Sequence, residues 1–271
     1  MKQQEEFINV RRLIQGKNPR LAKWIPGFII HYLERILHQK EINDFLKTHD
    51  TKNQDFCRDV LEAIGVTYSI SGIENIPKTG KCLVVMNHPL GGMDAMALVD
   101  GLRDLRTDIK FIVNDLLLNL DPLKEIFVGV NKHGKTKNSS LLQVNNLFAS
   151  DQLVCIFPAG LVSRKTKGIV RDLEWKKTFV KQARQNDQII IPVHIEGELS
   201  SFFYRLANFR KFLGIKMNIE MLYLADEMFR QKGKHIQFTV GEPIKAKTLD
   251  TKTSDVKWAE WFRNHVYALK K

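Results

Sequence analysis

His88 and Asp94 are the two side chains of this 271-residue sequence whose types and spacing are best suited to chemistry. A carboxylate beside a histidine fixes the tautomer of the imidazole and stabilises its protonated form, so that the ring can act as a general base. Many such pairs are only structural, so the pair by itself does not establish a catalytic site. The segments that surround it decide how it should be interpreted.

These segments predict a strand, a sharp turn and a helix. The apolar run Cys82–Met86 is typical of a buried strand, and the proline and two glycines that follow end the strand and turn the chain. Ala95–Val99 continues as an apolar helix. We therefore expect His88 at the carboxyl end of a strand and Asp94 near a helix N-terminus, in the crevice where open α/β sheets bind ligands.

The rest of the chain predicts an α/β fold with a mostly parallel central sheet flanked by helices and an N-terminal helical segment. Gly65 is expected to end the helical segment. This gives residues 1–64 as an N-terminal helical segment, for which membrane association is one of two interpretations, and residues 65–271 as the α/β domain. The further predicted strands are Val66–Ile70, Ile109–Val113, Ile126–Val130, Gln152–Phe157, Gln188–Ile195 and His235–Val240, and the predicted helices are Glu41–Leu46, Asp55–Ile64, Ser140–Ala149, Leu173–Arg184, Ser200–Leu213 and Asp255–Leu269.

The composition narrows the classes of function. The formal net charge of +12 favours polyanionic partners such as anionic lipid, nucleic acid or an acidic carrier protein, and the absence of finger, basic-zipper, KH and RNP patterns argues against nucleic acid. The three cysteines are scattered and no metal-ligand spacing occurs, so we expect no metal, no bound cofactor and a reducing cytoplasm. No secretory signal and no apolar stretch of about 18 residues is present.

The amphipathic stretch Leu21–Leu37 has two interpretations. The one slightly favoured is a helix packed on the core. The other is an interfacial helix with Trp24 and Tyr32 at the depth of the lipid headgroups and basic residues on anionic lipid, which would place the protein peripherally on the inner membrane face. The basic residues concerned are Arg11, Arg12, Arg20, Lys23 and Arg35.

A second cluster of candidate residues follows the strand that ends at Phe157. The turn Phe157-Pro158-Ala159-Gly160 is expected to expose backbone N–H groups, and Ser163, Arg164 and Arg171 come soon after it. The two arginines could clamp a carboxylate or phosphate. A solvated basic loop is an equally weighted alternative. Lys132 is a further basic residue after a strand.

Four ordered segments within about residues 65–200 resemble the motifs of the glycerolipid acyltransferases, the lysophosphatidic acid acyltransferase family. The segments, each with the family motif that it resembles, are Asn87-His88…Asp94 (Asn-His-x4-Asp), Phe127–Lys132 (Gly-x-Ile-Phe-Ile-x-Arg), Phe157–Gly160 (Phe-Pro-Glu-Gly) and Ile191–Val193 (apolar-Pro-Val).

The resemblance implies an O-acyltransferase of lipid biosynthesis. His88 would take the proton from an acceptor hydroxyl, Asp94 would orient His88, and the hydroxyl would attack the thioester of acyl carrier protein or coenzyme A directly. The lack of a Gly-x-Ser-x-Gly elbow agrees with direct transfer, and an acidic carrier would suit the positive chain. The residues assigned to substrate binding are Asn87, Lys132, Phe157, Pro158, Ala159, Gly160, Ser163, Arg164 and Arg171, with Arg164 assigned from charge and spacing.

Two departures from the family motifs bear on the substrate. Five residues separate His88 from Asp94 where the family usually has four, and Ala159 replaces the glutamate of the Phe-Pro-Glu-Gly motif. The Asn-His-Pro-Leu-Gly-Gly form resembles a subgroup described as hemolysin-like or amino-acid-lipid acyltransferases. We therefore expect an acceptor such as an N-acylated amino acid with a 3-hydroxyl, its carboxylate held by Arg164 or Arg171.

Two other functions compete with acyl transfer. One is a non-catalytic basic module that binds membranes or nucleic acid, although such a module has no need for a histidine–aspartate pair at a strand end. The other is a thioester hydrolase in which His88 and Asp94 activate water, and this enzyme would need no acceptor.

Overall fold

A computed structural model describes residues 7–17, 19–114, 118, 120–130 and 137–270. Within these residues, the chain forms two compact units. The first unit consists of the chain up to Asp50 together with Ser200–Gln231, and the second of Thr51–Leu199 together with the chain from Lys232 onward. The functional division at residues 64 and 65 stays a prediction.

The bounds of the regular elements follow in chain order. The helices are α1 (Val10–Lys17), α2 (Pro19–Trp24), α3 (Gly27–Ile36), α4 (Gln39–Thr48), α5 (Asn53–Ile64), α6 (Gly92–Gly101), α7 (Lys137–Ala149), α8 (Thr178–Gln185), α9 (Ser201–Phe212), α10 (Leu224–Phe229) and α11 (Asp255–Ala268). The strands are β1 (Thr67–Ser71), β2 (Cys82–Met86), β3 (Ile109–Asn114), β4 (Phe127–Val130), β5 (Leu153–Ile156), β6 (Arg164–Thr166), β7 (Ile169–Arg171), β8 (Ile189–Ile195), β9 (His235–Val240) and β10 (Ile244–Lys245).

The second unit contains the predicted central sheet. Its strand order is β1-β9-β8-β2-β5-β3-β4, with β10 paired to β8. Strands β8, β2, β5, β3 and β4 are parallel to one another, while β9 and β10 run antiparallel to β8. The prediction of an α/β fold with a mostly parallel sheet is thus confirmed. Strand β2 lies between two parallel neighbours and all of its side chains are buried, which explains its continuous apolar sequence.

Helices cover the sheet around β2. Leu83 and Val85 of β2 belong to an apolar cluster with Phe148 of α7, Phe179 of α8 and Phe262 of α11. Helices α5 and α6 pack against each other, and α6 also packs on β1. The core of this unit therefore holds β2 rigidly, and with it the residues that follow the end of the strand.

Two features after β5 differ from what the sequence predicts. The helix predicted over Leu173–Arg184 begins only at Thr178, and in the irregular segment before it Trp175 Nε1 donates to Asp172 Oδ2 at 2.8 Å. The stretch interpreted as a basic loop contains the hairpin β6–β7. Its two turn residues, Lys167 and Gly168, both have positive φ, as a type I′ turn requires.

The helical segments of the first unit are joined by polar contacts. The hydroxyls of Tyr32 and Tyr223 lie 2.5 Å apart, and His38 Nε2 lies 3.1 Å from Asp226 Oδ1. In the part of the chain described, no helix combines the length and the apolar character that crossing a bilayer demands.

Candidate active site

His88 and Asp94 form a direct pair at the carboxyl end of β2. The Nδ1 atom of His88 lies 2.8 Å from Oδ2 of Asp94. The aspartate is fully buried, whereas 18% of the histidine side chain is exposed. Because the carboxylate accepts the proton on Nδ1, Nε2 remains as the basic nitrogen of the neutral ring.

The turn after β2 accommodates the five-residue spacing. Gly91 has a φ of 72°, and α6 begins at Gly92, so that Asp94 lies in the first turn of the helix. The backbone N–H of Leu90 donates to Asp94 Oδ2 at 3.0 Å. The buried Leu90 side chain packs against Gly197, where an added Cβ would lie 2.7 Å from its nearest methyl carbon. Leu90 therefore anchors the longer turn at both its backbone and its side chain.

The environment of Asp94 favours a protonated partner. Burial raises the pKa of the Asp94 carboxyl, while the hydrogen bond and charge of His88 act in the opposite direction. Its second oxygen, Oδ1, has no hydrogen-bond partner among the described residues. A buried carboxylate with so few partners is stabilised when the adjacent imidazole becomes positively charged. Proton uptake by His88 would supply that charge.

Asn87 is part of the framework of the site. Its Nδ2 donates to the Ile195 carbonyl at 2.8 Å, and its Oδ1 accepts the Ile195 N–H at 2.7 Å. The side chain is buried and joins the end of β2 to the end of β8. The predicted contact of Asn87 with substrate is therefore not what this geometry favours, and we interpret the amide as a support for His88.

The Phe157–Gly160 turn lies beside the histidine. The Phe157 ring stacks on the His88 ring with a centroid distance of 3.9 Å and an interplanar angle of 18°. Pro158 and Ala159 are buried, and Ala159 belongs to the apolar cluster under the sheet. A glutamate at residue 159 would bring a charge into this cluster. Gly160 is exposed, with a φ of 67° and with the Lys176 ammonium close above it.

The predicted anion-binding residues mostly contact the protein itself. Arg164 is buried and donates to the Val162 carbonyl at 2.6 Å. Arg171 donates to Asn264 Oδ1 at 2.5 Å and lies over the Tyr267 ring. Neither geometry is the outward-facing clamp expected from the sequence. The predicted role of Lys132 stays a prediction, because this residue lies outside the described residues.

Ser163 belongs to a buried network that the sequence analysis missed in part. Its Oγ donates to Asp172 Oδ1 at 2.6 Å, and its backbone N–H donates to the His88 carbonyl at 2.8 Å. Asp172 was not among the candidates. The available signal was weak, because Asp172 is one of two acids, with Glu174, in an otherwise basic stretch.

The arrangement is suited to removing one proton from a hydroxyl or from water near Nε2 of His88. In the described ranges, no group of three or more histidine, cysteine, aspartate or glutamate side chains is placed to hold a metal ion.

Comparisons with known proteins agree with the resemblance found in the sequence. Residues 12–271 match the model of a family described as "Acyltransferase". The chain is similar to the lyso-glycine lipid O-acyltransferase of Bacteroides thetaiotaomicron, with 44% identity over 97% of both chains. It is also similar to the enzyme of the same name from Phocaeicola vulgatus, with 42% identity over 97% of this chain and 95% of the other.

The fold resembles that of a solved structure. The crystal structure of the 1-acyl-sn-glycerophosphate acyltransferase PlsC from Thermotoga maritima superposes with a TM-score of 0.52, covering 96% of this chain and 91% of that chain. The sequences are 17% identical, so the likeness concerns the fold.

Proposed function

The chain belongs to the acyltransferase family, and we propose that this O-acyltransferase esterifies the free hydroxyl of a lyso-glycine lipid or a similar N-acylated amino acid. The observation that carries the proposal is the pair His88–Asp94, formed at 2.8 Å at a strand end in a chain 44% identical to a lyso-glycine lipid O-acyltransferase. The fatty acyl group would arrive as a thioester of acyl carrier protein or coenzyme A.

The proposed reaction uses His88 as the base. Its Nε2 takes the proton of the acceptor hydroxyl as the oxygen attacks the thioester carbonyl. An ester C–O bond forms, the C–S bond breaks, and the imidazolium returns the proton to the departing thiolate. Asp94 stabilises the imidazolium during this sequence, in which no acyl-enzyme is formed.

The turn beside His88 supports an acceptor with a carboxylate headgroup. The apolar position of Ala159 removes the acid that the phosphate-acceptor enzymes of the family carry in this motif, as the sequence resemblance implies. Arg164 and Arg171 contact protein groups, and Lys176 is a further candidate for the headgroup contact beside them. Its side chain is exposed and its ammonium lies above Gly160.

We further propose that the protein binds the inner membrane face peripherally through the first unit. Trp24, with 85% of its surface exposed, and Phe212, with 84%, are the most exposed large apolar residues among the described residues of this unit. Further exposed apolar residues of the unit are Phe7, Leu13, Phe28, Ile29, Tyr32, Phe202, Phe209, Leu213, Ile215, Met217 and Leu222. Exposed basic residues such as Arg20, Lys23 and Lys211 provide charge complementary to anionic lipid. Membership of a hemolysin-like subgroup stays a prediction.

The experiment that tests the reaction measures thiol release from an acyl thioester by purified protein. Acyl carrier protein and coenzyme A donors are each supplied with an N-acylglycine bearing a hydroxyl, with lysophosphatidate, or with no acceptor. We expect release that depends on the acylglycine and that is lost in His88→Ala. Preference for lysophosphatidate would overturn the acceptor assignment, and release without any acceptor would favour a hydrolase. Vesicle binding without release would favour the binding module.

A further inference from the structure

Asp172 is a buried carboxylate that lies directly behind His88 and has no part in the reaction described above. Its Oδ1 accepts the backbone N–H of His88 at 3.2 Å and the hydroxyl of Ser163 at 2.6 Å. Its Oδ2 accepts Nε1 of Trp175 at 2.8 Å. One side chain thus joins the loop after β2 to the chain on both sides of the hairpin β6–β7.

The main chain of His88 is held on both of its polar groups. Asp172 accepts its N–H, and its carbonyl accepts the backbone N–H of Ser163 at 2.8 Å. Because the Ser163 hydroxyl donates to the same carboxylate, these contacts close a ring of hydrogen bonds around the peptide groups of residue 88. His88 lies just beyond β2, so the sheet ladder does not supply these partners.

The network continues into the C-terminal helix. The backbone N–H of Asp172 donates to the hydroxyl of Tyr267 in α11 at 2.7 Å. Phe262 of the same helix packs in the apolar cluster under β2. The position of Asp172 is therefore set by the core of the unit, and Asp172 transmits that position to His88.

We propose that Asp172 is a positioning residue for acyl transfer, which fixes the main chain of His88 so that the imidazole keeps both its contact with Asp94 and its direction toward the acceptor. This inference rests on the proposed role of His88 as the base. Misplacement of a catalytic group by about 1 Å can reduce a rate about 10²-fold, so a main-chain anchor can matter for the chemical step as much as a contact with substrate.

The chemistry of the site requires a carboxylate. Burial raises the pKa of Asp172, and the hydrogen bonds from Ser163, Trp175 and the His88 N–H oppose that rise. The three groups that contact the Asp172 carboxylate are all hydrogen-bond donors, so an ionised carboxylate suits the site. In Asp172→Asn the amide NH2 would face at least one of these donors. The substitution therefore breaks the network while keeping the size of the side chain.

The test compares Asp172→Asn with Asp100→Asn in the full-length protein. Asp100 is a matched control because it is also buried and also accepts three hydrogen bonds, but its donors are Arg58, Tyr68 and Arg103. For Asp172→Asn we expect kcat to fall roughly 10- to 100-fold, with the KM values of both substrates changed less than about 2-fold. For Asp100→Asn we expect reduced thermal stability and an unchanged kcat.

Ser163→Ala and Tyr267→Phe provide a second route if Asp172→Asn does not fold. Each removes one hydroxyl from the network, and we expect a smaller fall in kcat without a change in KM. An unchanged kcat in Ser163→Ala and Tyr267→Phe, or a loss in Asp172→Asn no greater than in Asp100→Asn at equal folded fraction, would overturn the inference while His88→Ala remained inactive. Activity in His88→Ala would instead remove the proposed base.

Discussion

Helix α6 carries a buried aspartate near each end, and the two have different surroundings. Asp100, in the last turn, accepts hydrogen bonds from Tyr68 Oη, Arg58 and Arg103. Asp94, in the first turn, is contacted by one imidazole and one peptide N–H, and its Oδ1 has no partner among the described residues. The Asp100 carboxylate is compensated by the fixed charges of Arg58 and Arg103, whereas the Asp94 carboxylate depends on the His88 imidazole, which can gain and lose a proton.

This difference separates a structural acid from a candidate functional one. A buried charge with permanent partners stabilises the arrangement of elements, and its environment does not change during a reaction. A buried charge that is only partly compensated stabilises a positive charge when one develops nearby. Proteins are expected to contain such locally unfavourable arrangements mainly at functional sites.

Asp94→Asn should have the largest effect, and it tests the functional end of the comparison. An amide cannot hold Nδ1 of His88 as the donor in the same way and carries no charge to stabilise the imidazolium. We expect kcat to fall roughly 10³- to 10⁴-fold. Steady-state kinetics with a saturating acceptor will measure it, and a loss of less than about 10-fold would contradict the role of Asp94.

Asp100→Asn tests the other end of the same helix. Removing the charge leaves two guanidinium groups with a weaker acceptor, so we expect the free energy of unfolding to fall by about 1–3 kcal/mol. The kcat should stay within about 2-fold of the wild-type value, because Asp100 has no contact with His88. Denaturant unfolding measures the free energy of unfolding, and the same kinetic assay measures kcat. A large loss of kcat in a fully folded variant would remove the distinction between Asp94 and Asp100.

The sequence predicted the positions of His88 and Asp94 better than it predicted the residues that support them. The apolar run Cys82–Met86 indicated a buried strand, and the residues after it indicated a turn, so His88 was placed correctly at the strand end. Asp172 was not predicted because its partner His88 lies 84 residues away in the chain. The residue type of Asp172 alone does not indicate that the fold brings it to His88. Long-range contacts of this kind depend on tertiary packing.

Two further features of this region could not be predicted from the sequence. Arg164 was interpreted as an anion clamp from its charge, but a charge pattern does not reveal that the nearby carbonyl of Val162 accepts its guanidinium at 2.6 Å. The hairpin β6–β7 has three residues on each strand, too few for a periodic pattern to indicate it. Its turn has Lys167 at a position that asparagine or glycine usually occupies.

His194 extends the comparison to a buried titratable group that should affect stability. Burial lowers its pKa to about 4, and its Nδ1 has no partner in the ranges described. Below pH about 6.5 the unfolded chain binds a proton that the folded protein does not accept until about pH 4, so stability is lost as the pH falls through this window. The difference corresponds to about 3 kcal/mol.

The measurement is the pH dependence of thermal unfolding in wild type and in His194→Gln. The raised pKa values of Asp94 and Asp172 act in the opposite direction, because protonation of these buried acids favours the folded state at low pH. Both proteins share that contribution, so their difference isolates His194. We expect the variant to gain stability relative to the wild type as the pH falls from 7 to 4.5, and parallel curves would contradict the assignment.

Gly197→Ala should have a smaller effect on the rate, through the turn that positions Asp94. The new methyl would meet the Leu90 side chain at 2.7 Å, and the φ of 147° is unfavourable for alanine. Displacing Leu90 moves an N–H that donates to Asp94, so we expect kcat to fall roughly 10-fold. Gly80→Ala is the matched control, because Gly80 also has a positive φ but no atom within 4 Å of the added carbon. Equal kinetics in the two variants would show that the turn tolerates the shift.

The smallest effect on the chemical step is expected from the exposed apolar side chains of the first unit, which contains neither Asp94 nor Asp100. Phe212→Ala removes an aromatic ring that is 84% exposed, so protein stability should hardly change. If the ring enters the headgroup region, binding to vesicles containing anionic lipid should weaken roughly 10-fold. Co-sedimentation measures this binding, and kcat with an acceptor dispersed in detergent should match that of the wild type. Unchanged co-sedimentation would assign membrane contact to another surface, whereas reduced kcat in detergent would mean that Phe212 also supports the reaction.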